Sequence, residues 1–374
     1  MIFITHPHHR HTQDFEWLWK GLGKPEDVIY GDQATLAELL PRLAVQPPPL
    51  LVLYQLEHLA PWCSQFCPVM LFPMLDCTRG TPDAFLRTLH QVEWVSFSRA
   101  LHQRLASLGL SSRYLQFALD PENFPMVSWD KGLRGYFWER TPEHLDRKAA
   151  EMVFRGLGVE DYKIRSLEDE EFSENKSAER RRKAESLWED HSTYLRYLRE
   201  FQVYLAPRRF EGIGMTFLEA MAMGMCVVAE NQSTADEYIT GGLHGILYPG
   251  DDVEIGLPRK YSPKEMEKMG REARVHMGQL HRQWTATRES LATLAKEMID
   301  RPYSRMAVPA PGLLEATLEF PKNPEALRAI VSLPPCRTYR SAYQQRIWGS
   351  PLGRTKFLFR KPRQFFSRLL KKGF

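Results

Sequence analysis

The stretch Val203-Tyr-Leu-Ala206-Pro-Arg208-Arg209-Phe-Glu211-Gly212-Ile213-Gly214-Met215-Thr216-Phe-Leu-Glu219-Ala-Met-Ala-Met-Gly224-Met-Cys226-Val-Val228 decides how this chain is read. Val203–Ala206 and Cys226–Ala229 are short apolar runs of strand type. Between them, a glycine-bearing turn leads into Met215–Met223, whose spacing predicts an amphipathic helix. Strand, turn, helix and buried strand in that order are the unit of a parallel sheet. Gly212 and Gly214 permit backbone conformations and close approach that side chains would block. The helix after them offers free N–H groups and a positive dipole end, which suit a diphosphate. Glu211 falls in the turn and Glu219 about one turn into the helix. Carboxylates at those places accept hydrogen bonds from sugar or ribose hydroxyls without repelling a phosphate held further along. Arg208 and Arg209 would add positive charge near a leaving group. A Gly-x-Gly turn alone is weak evidence; several such features at compatible spacings carry the reading.

The same alternation extends outward in both directions. In the first half, Ile2–Thr5, Val28–Tyr30, Leu50–Tyr54, Val69–Phe72, Trp94–Phe97 and Arg113–Phe117 read as strands, and Arg99–Leu108 as a helix stopped by Gly109. A turn-rich stretch from Asp120 to Gly132 separates them from a second series. That series runs strand Leu133–Trp138, helix Pro142–Leu157, strand Tyr162–Ser166, helix Ser192–Glu200, then the opening stretch, and ends with strand Ile246–Tyr248. Ser262–Ile299 reads as two helices. The fold class is therefore α/β, with two Rossmann-like doubly wound domains facing a cleft, whose ligands bind at the carboxyl ends of the strands. The domains are placed at 1–125 and 133–300, with a C-terminal extension over 301–374.

Length and composition agree. The 374 residues exceed one ordinary core, and 43% hydrophobic with 26% charged residues describes a globular protein. The formal charge of +4 conceals an asymmetry. From Ala326 to Phe374 there are 12 Lys/Arg and no Asp or Glu, so a basic tail follows an acidic body. Within that tail, Phe365, Phe366, Leu369 and Leu370 share one helical face, with Arg368, Lys371 and Lys372 elsewhere. This is the outline of an interfacial helix suited to an anionic membrane surface. Nucleic acid is not expected as a partner, because aromatic stacking platforms usually sit on a sheet. Residues 167–190, acidic and then basic, read as a solvated segment. Cys63, Cys67, Cys77, Cys226 and Cys336 are too scattered for a disulfide framework, and they match no common zinc spacing even with His58 nearby; buried free thiols are expected. No signal peptide or spanning stretch is visible, which points to the cytoplasm, with the tail at the inner membrane face.

The Glu211–Glu219 segment closely resembles the donor-site motif of family 4 (group 1) glycosyltransferases with the GT-B fold. Further stretches agree in order. Phe97-Ser98, Leu101, Gly109 and Ala118-Leu-Asp120-Pro-Glu-Asn-Phe124 resemble the end of that family's N-terminal domain. Thr234-Ala-Asp-Glu237-Tyr-Ile, Gly241, Gly245 and Pro249-Gly-Asp251 resemble its next loop and strand. The resemblance implies a nucleotide-sugar donor held mainly by the second domain. Glu219 would hold the ribose and Glu211, as a catalytic group, would contact the transferred sugar. The backbone from Gly212 through Ile213, Gly214 and Met215 to Thr216 would help hold the diphosphate or the sugar, with Arg208 and Glu237 also in the donor site. Arg140 looks like the family's phosphate-contacting arginine. The lysine that usually follows it has no counterpart at that spacing, Lys148 lying too far along. The family needs no metal or other cofactor and usually retains the glycosidic configuration; its leaving group is neutralised by basic side chains and helix dipoles.

The first domain departs further. Where the family often has a glycine-rich loop, this chain has His6-Pro-His-His-Arg-His11, read as a polar loop with a metal-binding or general-base role as the rarer alternative. His58, after a strong strand, stands at the cleft end as a candidate catalytic group, with a helix-capping role as the alternative. The implied function is sugar transfer from a nucleotide-diphosphate sugar to a glycan or lipid-linked acceptor, in polysaccharide or O-antigen assembly. A nucleotide-sugar epimerase of the same fold and an inactive glycosyltransferase-like binding protein are the alternatives.

Overall fold

A computed structural model describes residues 1–7, 9–12, 16–140, 144–166, 191–250, 260–303 and 312–320, with 326 and 330. The strands are β1 Ile2–Thr5, β2 Val28–Tyr30, β3 Leu51–Tyr54, β4 Val69–Phe72, β5 Glu93–Ser96 and β6 Ser112–Tyr114. They pair in parallel in the order β2-β1-β3-β4-β5-β6. The second sheet is β7 Arg134–Glu139, β8 Asp161–Ser166, β9 Val203–Leu205, β10 Cys226–Glu230 and β11 Gly245–Tyr248. It is also parallel, in the order β11-β10-β9-β7-β8. The helices that matter below are α1 Glu16–Leu22, α2 Gln33–Val45, α3 Arg99–Ser107, α4 Arg147–Leu157, α5 His191–Leu198, α6 Met215–Ala222, α7 Ala235–Tyr238, α8 Pro263–Asp300 and α9 Leu313–Glu319. Every strand expected from the sequence is present within a few residues.

The continuous apolar runs follow from burial on both faces. In β3, Val52 points into one core while Leu51 and Leu53 point into another; in β4, Met70 and Phe72 oppose Val69 and Leu71 in the same way. A strand covered on both sides loses the polar alternation of a half-exposed one. The cluster on the Val52 face continues into the second domain, reaching Tyr136, Tyr204 and Phe217. Its bridge is aromatic: the Trp284 ring lies edge-on to Trp17 and Phe117, each at 5.1 Å between centroids.

Trp284 belongs to α8, and here the structure corrects the sequence reading. Instead of two helices, one helix of 38 residues spans the region, about 57 Å at the α-helical rise. A capping box starts it, with the Ser262 hydroxyl accepting from the Glu265 N–H and the Glu265 carboxylate accepting from the Ser262 N–H. Gly270, which could have ended it, is instead needed inside it. A Cβ there would lie 2.3 Å from the Gly224 carbonyl oxygen, so α8 packs against the backbone that follows α6. The N-terminal half of α8 covers the second domain through Met266 and Met269, and its later part carries Trp284 and Leu291 to the first domain's aromatics.

In the extension, Leu313 and Ala316 of α9 are buried against the first domain, and Phe320 stacks on Phe85 at 4.4 Å. The tail from 331 onward, the charged segment 167–190 and Cys336 lie outside the described residues. Cys63, Cys67 and Cys226 are buried, whereas Cys77 is exposed, contrary to expectation. Its place in a short surface helix, Leu75–Thr78, turns it outward.

Candidate active site

The turn before α6 is shaped by its glycines. Gly214 has φ +80° and ψ 42°, a left-handed conformation, and a Cβ on it would sit 1.9 Å from the Phe217 ring. Its carbonyl accepts from the N–H groups of Phe217 and Leu218, both at 3.1 Å. The first amides of α6 therefore have no intrahelical acceptor. Ile213 is buried and pins the turn to the core. Thr216 stands in the first turn of α6. At the far end of α6, the Arg274 guanidinium donates to the Ala222 carbonyl, a favourable cation at a helix C-terminus. Gly212 faces the first domain directly, since a Cβ there would come within 2.6 Å of Met74.

The two carboxylates of the motif flank this turn in different surroundings. Glu219 is 5% exposed and accepts at 2.8 Å from, or shares a proton with, His191 Nε2 at the start of α5. The His191 side chain is 56% exposed, so the pair lies at the protein surface. His191 was missed by the sequence reading. It lies 28 residues before Glu219, next to the charged segment, and no pattern links the two. The Glu211 backbone carbonyl accepts from Thr234 Oγ1 at 2.6 Å, and its carboxylate is 3.8 Å from Arg208 Nη1. The same Arg208 nitrogen is 3.3 Å from Asp76 of the first domain. Arg208 thus stands between two carboxylates across the domain boundary. Its neighbour Arg209 pairs with the buried Glu230 at 2.8 Å, and Phe210 lies under the Arg79 guanidinium at 3.6 Å.

Arg140 follows β7 with its guanidinium 4.7 Å from the Trp138 ring centroid, in a cation–π contact. Arg165 lies beside Trp138 in the register of β7 and β8 and approaches the same ring at 5.5 Å. It is 2% exposed, a second cation at this strand end that the sequence reading did not single out. A basic residue inside a strand carries no spacing signal of its own.

Glu237 is not gathered with Glu211 and Glu219 by its carboxylate, whose oxygens accept from the Arg99 N–H at 2.8 Å and the Tyr114 hydroxyl at 2.6 Å, both in the first domain. Burial pushes its pKa up, against the lowering by the Tyr114 bond.

At the carboxyl ends of the first sheet, the histidine stretch forms a short helix, His9–Thr12, rather than a loop. His9 is buried, with Nε2 3.1 Å from Gln55 Oε1 and its ring edge-on to Tyr54. Gln55 has φ 57°, a conformation that costs energy outside glycine and concentrates at functional sites. His8 and the side chain of His11 lie outside the description. His58 occupies the short 3-10 turn Glu57–Leu59 after β3 and is partly buried. Burial, with the His6 charge adding to it, lowers its pKa from 6.5 to about 4. The folded protein thus binds fewer protons here than the unfolded chain between pH 6.5 and 4. The stability this neutral ring contributes is present above pH 6.5 and is lost as pH falls toward 4, at most about 3 kcal/mol. His58→Gln is expected to flatten that part of the stability curve, measurable as urea midpoints across the interval. An unchanged slope would show that His58 is not the group responsible. Among the described residues no group of three or more His, Cys, Asp or Glu side chains is placed to hold a metal ion.

Two parallel-sheet domains with these groups between them define the GT-B fold. Sucrose-phosphate synthase from Thermosynechococcus elongatus superposes with a TM-score of 0.54 at 16% identity, over 74% of this chain and 81% of that one. Anabaena HepE, solved in complex with UDP-glucose, gives 0.54 at 14% identity, over 72% and 85%. Residues 127–256, about a third of the chain, match the family model described as "Glycosyl transferases group 1". A stretch of 67 residues is 37% identical to the lipopolysaccharide core biosynthesis mannosyltransferase LpsB of Rhizobium meliloti (strain 1021). That match covers 17% of this chain and 19% of LpsB, about a fifth of the relative's length. Among the described residues no helix is long and apolar enough to cross a membrane.

Proposed function

We propose that the protein transfers a sugar from a nucleotide-diphosphate sugar to a glycan or lipid-linked acceptor, with retention of configuration, in polysaccharide or O-antigen assembly. The observation that carries this reading is the placement of Glu211 and Glu219 on either side of the α6 N-terminus, where the motif's turn meets the first domain at Met74. Glu219, held by His191, takes the ribose hydroxyls. The amides from Gly212 to Thr216 and the α6 dipole take the diphosphate, with Arg140 as cation. Charge developing on the leaving diphosphate is then met by fixed dipoles and a guanidinium rather than by reorganising water. Glu211 contacts the transferred sugar. The acceptor enters from the first domain's strand ends, where a neutral His58 offers a hydrogen-bonding group. No metal or other cofactor is required by this arrangement of charge. The relative's role in lipopolysaccharide core biosynthesis supports the polysaccharide setting, and the UDP-glucose complex of HepE makes uridine diphosphate sugars the donors to try first. The basic, aromatic tail supports a site of action at an anionic membrane face, with the body in the cytoplasm.

The test is a panel of nucleotide sugars, read by thermal stabilisation and by nucleotide release with and without acceptor glycans. One donor is expected to stabilise the protein and to release its nucleotide faster with acceptor. Glu211→Gln is expected to keep the stabilisation and lower turnover about a thousandfold, the scale of removing a group aimed at the transition state. Conversion of the donor without acceptor would identify an epimerase instead. Stabilisation without turnover would identify a binding protein.

A further inference from the structure

Helix α7 has four residues, yet it joins the second domain to the first through a buried carboxylate. One oxygen of Glu237 accepts from the Arg99 N–H at 2.8 Å and the Ser98 hydroxyl at 3.3 Å, and the other from the Tyr114 hydroxyl at 2.6 Å. The Glu237 carbonyl accepts from Gln116 Nε2 at 2.8 Å, and the next residue, Tyr238, donates its hydroxyl to the Phe117 carbonyl at 2.8 Å. All of these partners lie between β5 and the end of the first domain. At its other end the same segment holds the catalytic turn, through the 2.6 Å bond from Thr234 Oγ1 to the Glu211 carbonyl. The Glu237 N–H donates to the Thr234 carbonyl at 3.0 Å, so the two ends are tied within one turn.

We propose that residues 234–238 are a strut that sets Glu211 relative to the acceptor domain, with Glu237 and Tyr114 as positioning residues for the transfer step. The inference rests on the reading of Glu211 as the group at the transferred sugar. Its physical basis is the kind of residue used. Burying a carboxylate costs several kcal/mol, and apolar side chains of similar size would join the domains at no such cost. Apolar packing, however, fixes separation more than register. A carboxylate bound at both oxygens fixes register too, because each donor must meet a particular lone pair at a particular angle. Register matters because displacement by about 1 Å at a reacting centre costs about a hundredfold in rate. Ala235 and Tyr238 within the strut and Ile239 just after it are buried and keep it from yielding.

Two variants test this. Tyr114→Phe removes one hydroxyl and keeps the ring, whereas Glu237→Gln keeps the shape but turns an amide toward a donor. Each is expected to lower kcat for transfer about tenfold, the loss of one charge-assisted hydrogen bond, with donor affinity within twofold of the native value. Because both act on one strut, the double variant should fall little further than either single one. Hydrogen exchange gives a readout independent of activity: the amides of residues 211–214 should exchange several-fold faster in Tyr114→Phe, which also serves should Glu237→Gln fail to fold. Native kcat and native exchange at 211–214 would overturn the strut, leaving a domain contact only. Equal loss of donor affinity and kcat would overturn it differently, by making Glu237 a donor ligand. If the native protein turns over no donor, the reading of Glu211 fails, and the exchange experiment still decides whether the strut exists.

Discussion

Glu219→Ala is expected to raise the donor's dissociation constant about a hundredfold while leaving the fold almost intact. The carboxylate is buried at one end of the turn and its recorded partner, His191, is largely exposed. Removing it therefore strands no buried cation, since the imidazole can turn to water, and alanine is the best helix former. A ribose that loses a bidentate, charged acceptor forfeits about 2.7 kcal/mol, which is that factor of a hundred. Glu219→Gln should fall between, because one carbonyl oxygen remains while the charge is gone. Isothermal titration with the nucleoside diphosphate alone checks this without acceptor or turnover. Native affinity in the alanine variant would remove Glu219 from the donor site, and a loss confined to the full nucleotide sugar would move it from the ribose to the sugar.

Gly214→Ala has the largest expected effect on stability. Two costs fall on one methyl group. A residue with a Cβ loses about 1–2 kcal/mol in the left-handed region. That Cβ would also arrive 1.9 Å from the Phe217 ring, which is 1% exposed and edge-on to Tyr238. An overpacked core ring adds about 1–3 kcal/mol, for a total of roughly 2–5 kcal/mol in chemical denaturation. Donor binding should suffer in the folded fraction too, because relief of the clash moves the α6 N-terminus. A variant as stable as the native protein would mean that the turn can relax without moving Phe217. Gly212→Ala should behave differently. Its obstacle is the flexible Met74 side chain, so binding should change more than stability.

The central strands, such as β3, β4 and β10, were legible because each is an apolar run buried along its length, and such runs need no partner to be recognised. The helix from Pro263 to Asp300 was harder. Glycine disfavours a helix interior, and only the backbone of Gly224, 46 positions before Gly270, shows that the missing side chain there is room for packing. Gly214 and Glu219 were legible for a local reason, since the turn, the helix start and the carboxylate one turn later lie within six residues. His191, Arg165 and Asp76 were not. Their approach to Glu219, Trp138 and Arg208 depends on which strands are neighbours, and β8 stands at the sheet edge while Asp76 belongs to the other domain.

Glu237 divides the two kinds of information most clearly. The family resemblance of Thr234-Ala-Asp-Glu237-Tyr-Ile places it in the donor site. In the fold its oxygens are spent on Ser98, Arg99 and Tyr114, 138 positions away for Arg99. The order of residues along the chain was enough for two parallel sheets, a glycine-bearing turn at Gly212–Thr216 that opens a helix and two acids beside it, since strand burial, glycine freedom and helix periodicity all act over a few residues. That Glu237 faces the other domain follows from how two separately formed sheets meet. That meeting brings together groups more than a hundred residues apart, and no local pattern records it.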